Sequence, residues 1–250
     1  MAGYPSSVLH EVITSACLAF TMNGSQMISK TIERHLPDVD GDSLTITLVF
    51  LNLAFFYSPL VGRLGQGAVM NPSTLTLRYF IGHMTAIKLF LNSAAIILGS
   101  FLGVTMVGML LQYVPMEGVD LSPVRPTGGF VYAATAEFAV TLAMTLVGSV
   151  LEGVFPRSYM AAIVSAGVYC GIMTYEKCAF SCVVMNPAAP LALQLYNVGL
   201  SGFFSIKVWE ELAPYVIGSF TASAMLGTFL HYLSGSPHTE VRRSKGPKNL

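Results

Sequence analysis

The sequence contains little charge. Asp, Glu, Lys and Arg together make up only 10% of the chain, while 53% of its residues are hydrophobic. An ordinary soluble domain carries about 25% charged residues, so this composition excludes one and indicates a protein of the lipid bilayer. The sequence also has no nucleophile paired with a base, no phosphate-binding glycine loop and no basic surface for nucleic acid. We therefore expect neither an enzyme nor a nucleic-acid-binding protein.

Cysteine is scarce and follows no pattern. The chain has four cysteines, none in a C-x-x-C pair or a disulfide framework: Cys17, Cys170, Cys178 and Cys182. We interpret them as small apolar filler residues that fix no redox compartment. His83 and His231 have no partner at a metal-ligand spacing and are typical of membrane-boundary residues. The sequence thus predicts no metal centre and no cofactor.

Long hydrophobic runs are abundant instead. A transmembrane helix needs about 20 apolar residues, and six segments come near that length: residues 8–29, 44–62, 86–114, 129–151, 158–175 and 212–233. Six crossings put both termini on one side of the membrane. The N-terminal stretch lacks the basic region of a signal peptide, so we expect no cleaved leader.

The basic residues predict which side that is, because Lys and Arg stay in the cytoplasm. Eight fall on the side of the termini and five on the other side. The first set is Arg63, Arg78, Lys88, Arg157, Arg242, Arg243, Lys245 and Lys248; the second is Lys30, Arg34, Arg125, Lys177 and Lys207. We expect cytoplasmic termini and a basic cytosolic tail over residues 234–250, in the plasma membrane or an intracellular membrane.

The tetrapeptide Val-Met-Asn-Pro occurs twice, at residues 69–72 and 184–187. Each copy precedes an apolar run too short to cross a membrane, at about 73–82 and 188–204. Asn is a good helix N-cap and Pro is favoured at the first helical position. A single copy would most simply cap a surface helix. Two copies at matching places predict two re-entrant half-helices that enter the membrane and stop.

The repeat extends to an acidic residue in each half. Glu11 lies in the first crossing and Glu137 in the fourth, and an intramembrane carboxylate indicates a site. Because each half has three crossings, the second half is inverted relative to the first. We predict an all-α fold of six transmembrane helices and two half-helices, in an inverted three-plus-three repeat. The halves would cover residues 1–114 and 129–233, joined by an extracytoplasmic loop over 115–128.

These motifs resemble the aquaporin (major intrinsic protein) family over about residues 5 to 233. The resemblance implies that each monomer is a pore and that four identical monomers associate. It implies that the motif residues Asn71, Pro72, Ser73, Asn186, Pro187 and Ala188 lie in the pore, where the asparagines hydrogen-bond water. Glu11 and Glu137 would brace the loops that carry the half-helices. Selectivity would follow from pore diameter, lining donors and the positive half-helix ends.

The sequence departs from the family in its second motif. Most members have an arginine directly after Asn-Pro-Ala, where this chain has Ala189. The other filter positions map to Phe50 or Leu51, to Thr174 and to Val183, which predicts a wide, uncharged, apolar mouth. Pro190 follows and should loosen the first turn of the half-helix. The Ser73 of the first motif is a milder change. These divergent motifs are similar to those of the unorthodox superaquaporins.

Two functions from different classes fit these features. The first is a passive channel for water and small neutral solutes, with glycerol or peroxide as candidates. The second is a weakly conducting membrane subunit that keeps the fold and serves a structural or partner-binding role. Both asparagines favour the channel. The apolar mouth favours the alternative, because a hydrophobic constriction can lose its water and close.

Overall fold

A computed structural model describes residues 4–64, 67–114, 119–126, 128–154, 159–179 and 184–234, with the backbone alone at 4–6, 152 and 173–179. The predicted cytosolic tail, apart from its first residue, lies outside these ranges. The described residues form α-helices joined by short connections, so the all-α prediction is confirmed for them. The helices are α1 Tyr4–His35, α2 Gly41–Phe56, α3 Pro59–Leu64, α4 Pro72–Phe80, α5 Ala86–Tyr113, α6 Phe130–Val154, α7 Tyr159–Ala179, α8 Ala188–Phe203 and α9 Ile206–Leu233.

Three of these helices are long and apolar enough to cross a membrane, namely α5, α6 and α9. Among the described residues α2 and the first part of α7 are shorter apolar helices. α1 has 32 residues, but Glu11 interrupts its apolar run and Lys30, Glu33 and Arg34 make its last turns polar. Length and composition therefore establish three candidate crossings of the six that the sequence predicts.

Two of the helix boundaries that differ from the prediction have a local cause, one a capping hydroxyl and the other a proline. The last crossing was expected to begin at residue 212, but α9 begins at Ile206 because the Ser205 hydroxyl accepts a hydrogen bond from the Val208 amide. The second crossing was expected to continue to residue 62, but α2 ends at Phe56 and α3 begins at Pro59. Pro59 disfavours helical geometry in the residue before it, Ser58, so the helix is interrupted there.

The helices pack in pairs that repeat between the two halves. α1 packs on α5 and on α2, and α6 packs on α9 and on α7 in the same manner. α4 contacts α9 while α8 contacts α5, so each short helix packs against a long helix of the other half. α2 and α7 meet each other. The same set of helix pairs therefore occurs in both halves of the chain.

Glycines allow the closest of these helix contacts. A Cβ at Gly218 of α9 would lie 2.7 Å from the Ala134 carbonyl oxygen and 2.9 Å from the Glu137 Cβ of α6. At Gly99 of α5 it would collide with the Val12 carbonyl oxygen of α1. Both long helices therefore approach the glutamate-bearing helix of their own half at backbone distance.

We expect Gly103→Ala to lower the stability of the protein by about 1–3 kcal/mol, because overpacking forces helices apart. A Cβ at Gly103 would collide with the Ala16 carbonyl oxygen and lie 2.8 Å from the Ala19 Cβ. The matched control is Gly24→Ala in α1, where a Cβ meets no atom within 4 Å and where helix propensity favours Ala by about 1 kcal/mol. Thermal denaturation in detergent should lower the midpoint for the first variant and raise it for the second.

The segment between the two halves is attached to three helices. The Asp120 amide donates to the Gln26 side chain of α1, and Asn197 of α8 donates to the Leu121 carbonyl. The Ser122 amide donates to the Asp120 carboxylate at 2.7 Å, and the hydrogen bonds from Ser122 lower the pKa of that carboxyl. Arg125 lies 4.0 Å from Glu211 of α9. The described part of this loop therefore lies over the far end of α8.

Candidate functional site

Both motif asparagines accept a backbone hydrogen bond at the start of the short helix that follows them. Asn71 has an extended backbone, and its Oδ1 accepts a hydrogen bond from the Ser73 amide at 2.9 Å. Pro72 is the first residue of α4, where its missing amide hydrogen costs nothing. Asn186 Oδ1 accepts from the Ala188 amide at 3.1 Å in the same way. Asn71 and Pro72 thus begin α4 as the sequence predicts, whereas in α8 Pro187 is the N-cap and Ala188 the first helical residue, one position later than predicted.

The side-chain amides of the two asparagines cross between the halves. Asn71 Nδ2 donates to the Met185 carbonyl oxygen at 3.0 Å, and Asn186 Nδ2 donates to the Met70 carbonyl oxygen at 3.0 Å. The two bonds are reciprocal, because each asparagine binds the residue that precedes the other. The N-termini of α4 and α8 therefore lie side by side, although their motifs are 115 residues apart in the sequence.

The two methionines before the asparagines adopt left-handed backbone geometry. Met70 has φ 59° and Met185 has φ 55°, although neither is glycine. Such a conformation costs about 1–3 kcal/mol and persists only where the surroundings impose it. Both residues are buried, and their carbonyls are the acceptors of the crossing bonds. Their role was not predicted from the sequence, although the repeated Val-Met before each Asn-Pro is a signal that could have identified them.

Glu11 holds the loop before α4. Its carboxylate accepts hydrogen bonds from the Val69 amide at 3.0 Å and from the Met70 amide at 3.1 Å. Only 2% of Glu11 is exposed. A carboxylate at this place satisfies two buried backbone donors that the turn leaves outside any helix.

Glu137 holds the loop before α8 with more partners. It accepts from the Val184 amide at 2.8 Å and the Met185 amide at 2.7 Å. Two hydroxyls also donate to it, Thr141 at 3.2 Å and Ser219 at 2.5 Å. Glu137 has no exposed surface. The buried carboxylate of Glu137 is therefore the centre of a polar network that joins α6, α9 and the loop.

Thr141 and Ser219 were not predicted from the sequence. Thr141 follows Glu137 by one helical turn, so spacing on the helix could have indicated it. Ser219 follows Gly218, and the same Gly-Ser pair occurs in α5 at Gly99. That repeat within the two long helices was the available signal for Ser219.

The first turn of α8 differs from that of α4 because of Pro190. In α4 the Asn71 carbonyl accepts from the amide four residues later, that of Leu75, at 3.2 Å. The equivalent residue in α8 is Pro190, which has no amide hydrogen. The Asn186 carbonyl accepts instead from the Ala189 amide at 3.1 Å, three residues later. The turn is therefore of the 3₁₀ type. A second irregularity lies at Gly199, where φ is 66°.

The predicted filter residues are described only in part. Phe50 packs against the buried cluster that contains Leu53 and Met70, and its ring lies 3.8 Å from where a Cβ at Gly167 would be. Leu51 is 56% exposed, so Phe50 is the alternative that faces the interior. Ala189 is half-buried in the first turn of α8. The Thr174 side chain and Val183 lie outside the described residues.

The arrangement offers hydrogen-bond donors to a neutral polar solute. A side-chain NH₂ has two hydrogens, and in each asparagine one of them makes the crossing bond. Within the part of the chain that the structure describes, the second hydrogen of Asn71 and of Asn186 makes no further bond and can donate, and both residues are half-buried. Within the described residues no cluster of His, Cys, Asp and Glu is suited to a metal ion.

Comparison of the sequence with protein-family models finds no matching family, and comparison with curated proteins finds no match. The aquaporin resemblance therefore rests on the sequence motifs.

Proposed function

We propose that this protein is a passive membrane channel for water and small neutral solutes, with an aquaporin fold. The observation that carries the proposal is the reciprocal pair of bonds from Asn71 and Asn186 to the opposite loops. These bonds hold two helix N-termini and two amide donors at one point. A permeating molecule with an oxygen acceptor could exchange its hydrogen bonds to water for bonds to those amides.

In this proposal α1, α2, α5, α6, α7 and α9 cross the membrane, and α4 and α8 enter it from opposite sides. α4 has nine residues and is about 13 Å long, less than half of the hydrocarbon core. α2 has 16 residues and spans about 24 Å, which α3 extends toward the boundary. Both termini would be cytoplasmic, and four copies would associate with one pore in each.

Charge should select against ions at the paired N-termini. Each helix N-terminus carries roughly half a positive charge, so two of them at one point repel cations. The carboxylates nearby, Glu11 and Glu137, are turned to the backbone amides of the loops. Ala189 adds no charge, which leaves the helix ends as the main barrier and favours neutral solutes.

Stopped-flow light scattering of proteoliposomes tests the proposal. Water, glycerol, urea and hydrogen peroxide should be compared, with protein-free liposomes as the reference. We expect faster relaxation with water and with at least one of the other solutes. Rates equal to those of protein-free liposomes, from protein shown to be folded and inserted, would favour the structural or partner-binding alternative.

Ala189→Arg should reduce glycerol flux more than water flux. A guanidinium at the first turn of α8 would narrow the mouth and add a fixed positive charge, while water would still fit. Ala189→Gln is the control, because it adds length without charge and should leave cation leakage unchanged. A glycerol-to-water ratio unaltered in both variants, in protein that still conducts, would show that Ala189 does not lie at the constriction.

A further inference from the structure

The C-terminal end of α4 is a glycine-dependent turn. The His83 amide donates to the Arg78 carbonyl at 2.8 Å, and the Gly82 amide donates to the Tyr79 carbonyl at 2.9 Å. These two hydrogen bonds together form a Schellman motif, which needs a residue with left-handed backbone geometry. Gly82 supplies it with φ 90°. The turn therefore ends α4 and fixes where the chain places His83.

α9 holds this turn in place from the side. A Cβ at Gly227 would lie 2.7 Å from the Phe80 Cβ and 3.0 Å from the Leu77 carbonyl oxygen, so the two helices are in close contact. One turn further, His231 Nδ1 lies 3.1 Å from the Ile81 carbonyl oxygen. A carbonyl only accepts, so Nδ1 carries the hydrogen. The other ring nitrogen, Nε2, is left as the atom that can bind a ligand.

A cavity of about 630 Å³ opens between this turn, the start of α5 and the end of α9. Among the described residues its lining has three basic side chains and no acidic one: His83, Lys88 and His231. Tyr79 and Thr85 add hydroxyl groups. The cavity therefore offers positive charge and hydrogen-bond donors together, which suits an anionic group.

The surroundings of the cavity are those of a lipid headgroup site. α5 and α9 are two of the helices long and apolar enough to cross a membrane, and the cavity lies where α5 begins and α9 ends. Next to Lys88 the large side chains of Ile87 and Phe90 are 67% and 73% exposed. Basic groups therefore stand directly beside apolar surface, as a phospholipid requires.

We propose that this cavity binds the phosphate of an anionic phospholipid headgroup, with the acyl chains along the exposed apolar side of α5. Lys88 supplies a point charge, and basic pockets between transmembrane helices are known phosphate sites. Nε2 is the ring nitrogen of His231 left to contact the phosphate, while Nδ1 keeps its bond to the Ile81 carbonyl. Among the described residues that line the cavity, the other titratable groups are Tyr79, His83 and Lys88. The proposal rests on the membrane setting proposed above but not on solute conduction.

Native mass spectrometry of the purified full-length protein tests this site. Phosphatidic acid or phosphatidylcholine with the same acyl chains would be added to the protein in detergent. We expect tighter retention of phosphatidic acid. Lys88→Gln should weaken it about fivefold, as expected for the loss of one basic group at a membrane surface.

The matched control is Lys207→Gln, which removes the same charge at the opposite end of α9 and should leave binding unchanged. His231→Gln gives a second variant, and its thermal denaturation separates loss of binding from loss of the fold. Equal retention of both lipids, or equal weakening by Lys88→Gln and Lys207→Gln, would overturn the proposal. Displacement of phosphatidic acid by millimolar glycerol 3-phosphate would overturn the lipid as the source of the phosphate. Absence of solute flux would leave the proposal intact.

Discussion

Glu137→Leu is expected to lower the stability of the folded protein by about 2–6 kcal/mol. The variant leaves the Val184 and Met185 amides buried without an acceptor, at about 1–3 kcal/mol for each. The Ser219 and Thr141 hydroxyls lose a partner as well. Thermal denaturation in detergent, with the folded fraction measured by size exclusion, would show the loss. Solute flux should fall with it, because the loop before α8 is no longer held.

Two further variants make this prediction specific. Glu137→Gln keeps one carbonyl oxygen that accepts, so its loss of stability should be smaller than that of Glu137→Leu. Glu210→Leu removes an exposed carboxylate from α9 and should change stability by less than about 0.5 kcal/mol. Equal stability of Glu137→Leu and Glu210→Leu would contradict a bracing role for the buried carboxylate.

Substitution of the paired asparagines is expected to reduce solute flux most strongly. Asn186→Asp keeps an oxygen that accepts from the Ala188 amide, but it loses the donor to the Met70 carbonyl and the donor to the solute. Asn186→Ala loses the bond from the Ala188 amide as well, at roughly 1 kcal/mol. We therefore expect low flux in both variants and a further loss of stability in the second. We expect Asn71→Asp and Asn71→Ala to have low flux as well, with the further loss of stability in the Ala variant.

Asn197→Ala is the control for these variants. Asn197 lies further along α8, away from the bonds that Asn71 and Asn186 make between the halves. It donates to the Leu121 and Leu193 carbonyls. Its removal should leave flux unchanged per folded protein. Wild-type flux in Asn186→Asp and Asn71→Asp would show that the amide donors are not in the solute path.

The sequence predicted those features that local chemistry determines. Asn-Pro favours a helix start, so α4 was expected to begin at Pro72 and α8 at Pro187; α4 begins there, and α8 begins one residue later, at Ala188. A carboxylate in an apolar run needs buried donors, which singled out Glu11 and Glu137 before their partners were known. The all-helical class followed from long apolar runs and is confirmed for the described residues.

The features that could not be predicted from the sequence depend on contacts between distant segments. The crossing bonds join Asn71 to Met185 and Asn186 to Met70, and neither partner has a polar side chain to reveal it. The acceptors are backbone carbonyls, which every residue has. The role of Ser219 could not be predicted for the same reason, because it depends on how α9 packs against α6. The start of α9 was misjudged for another reason, since a count of apolar residues ignores the capping hydroxyl of Ser205.

The temperature dependence of water permeability tests the central claim most directly. Water that crosses lipid must first enter the hydrocarbon, whereas water in a pore with amide donors keeps hydrogen bonds along its path. Stopped-flow measurements over a range of temperatures would give the activation energy for proteoliposomes and for protein-free liposomes of the same lipid. We predict a lower activation energy with the protein, and a return toward the lipid value in Asn186→Asp. An activation energy equal to that of lipid alone, with folded wild-type protein in the membrane, would contradict a channel.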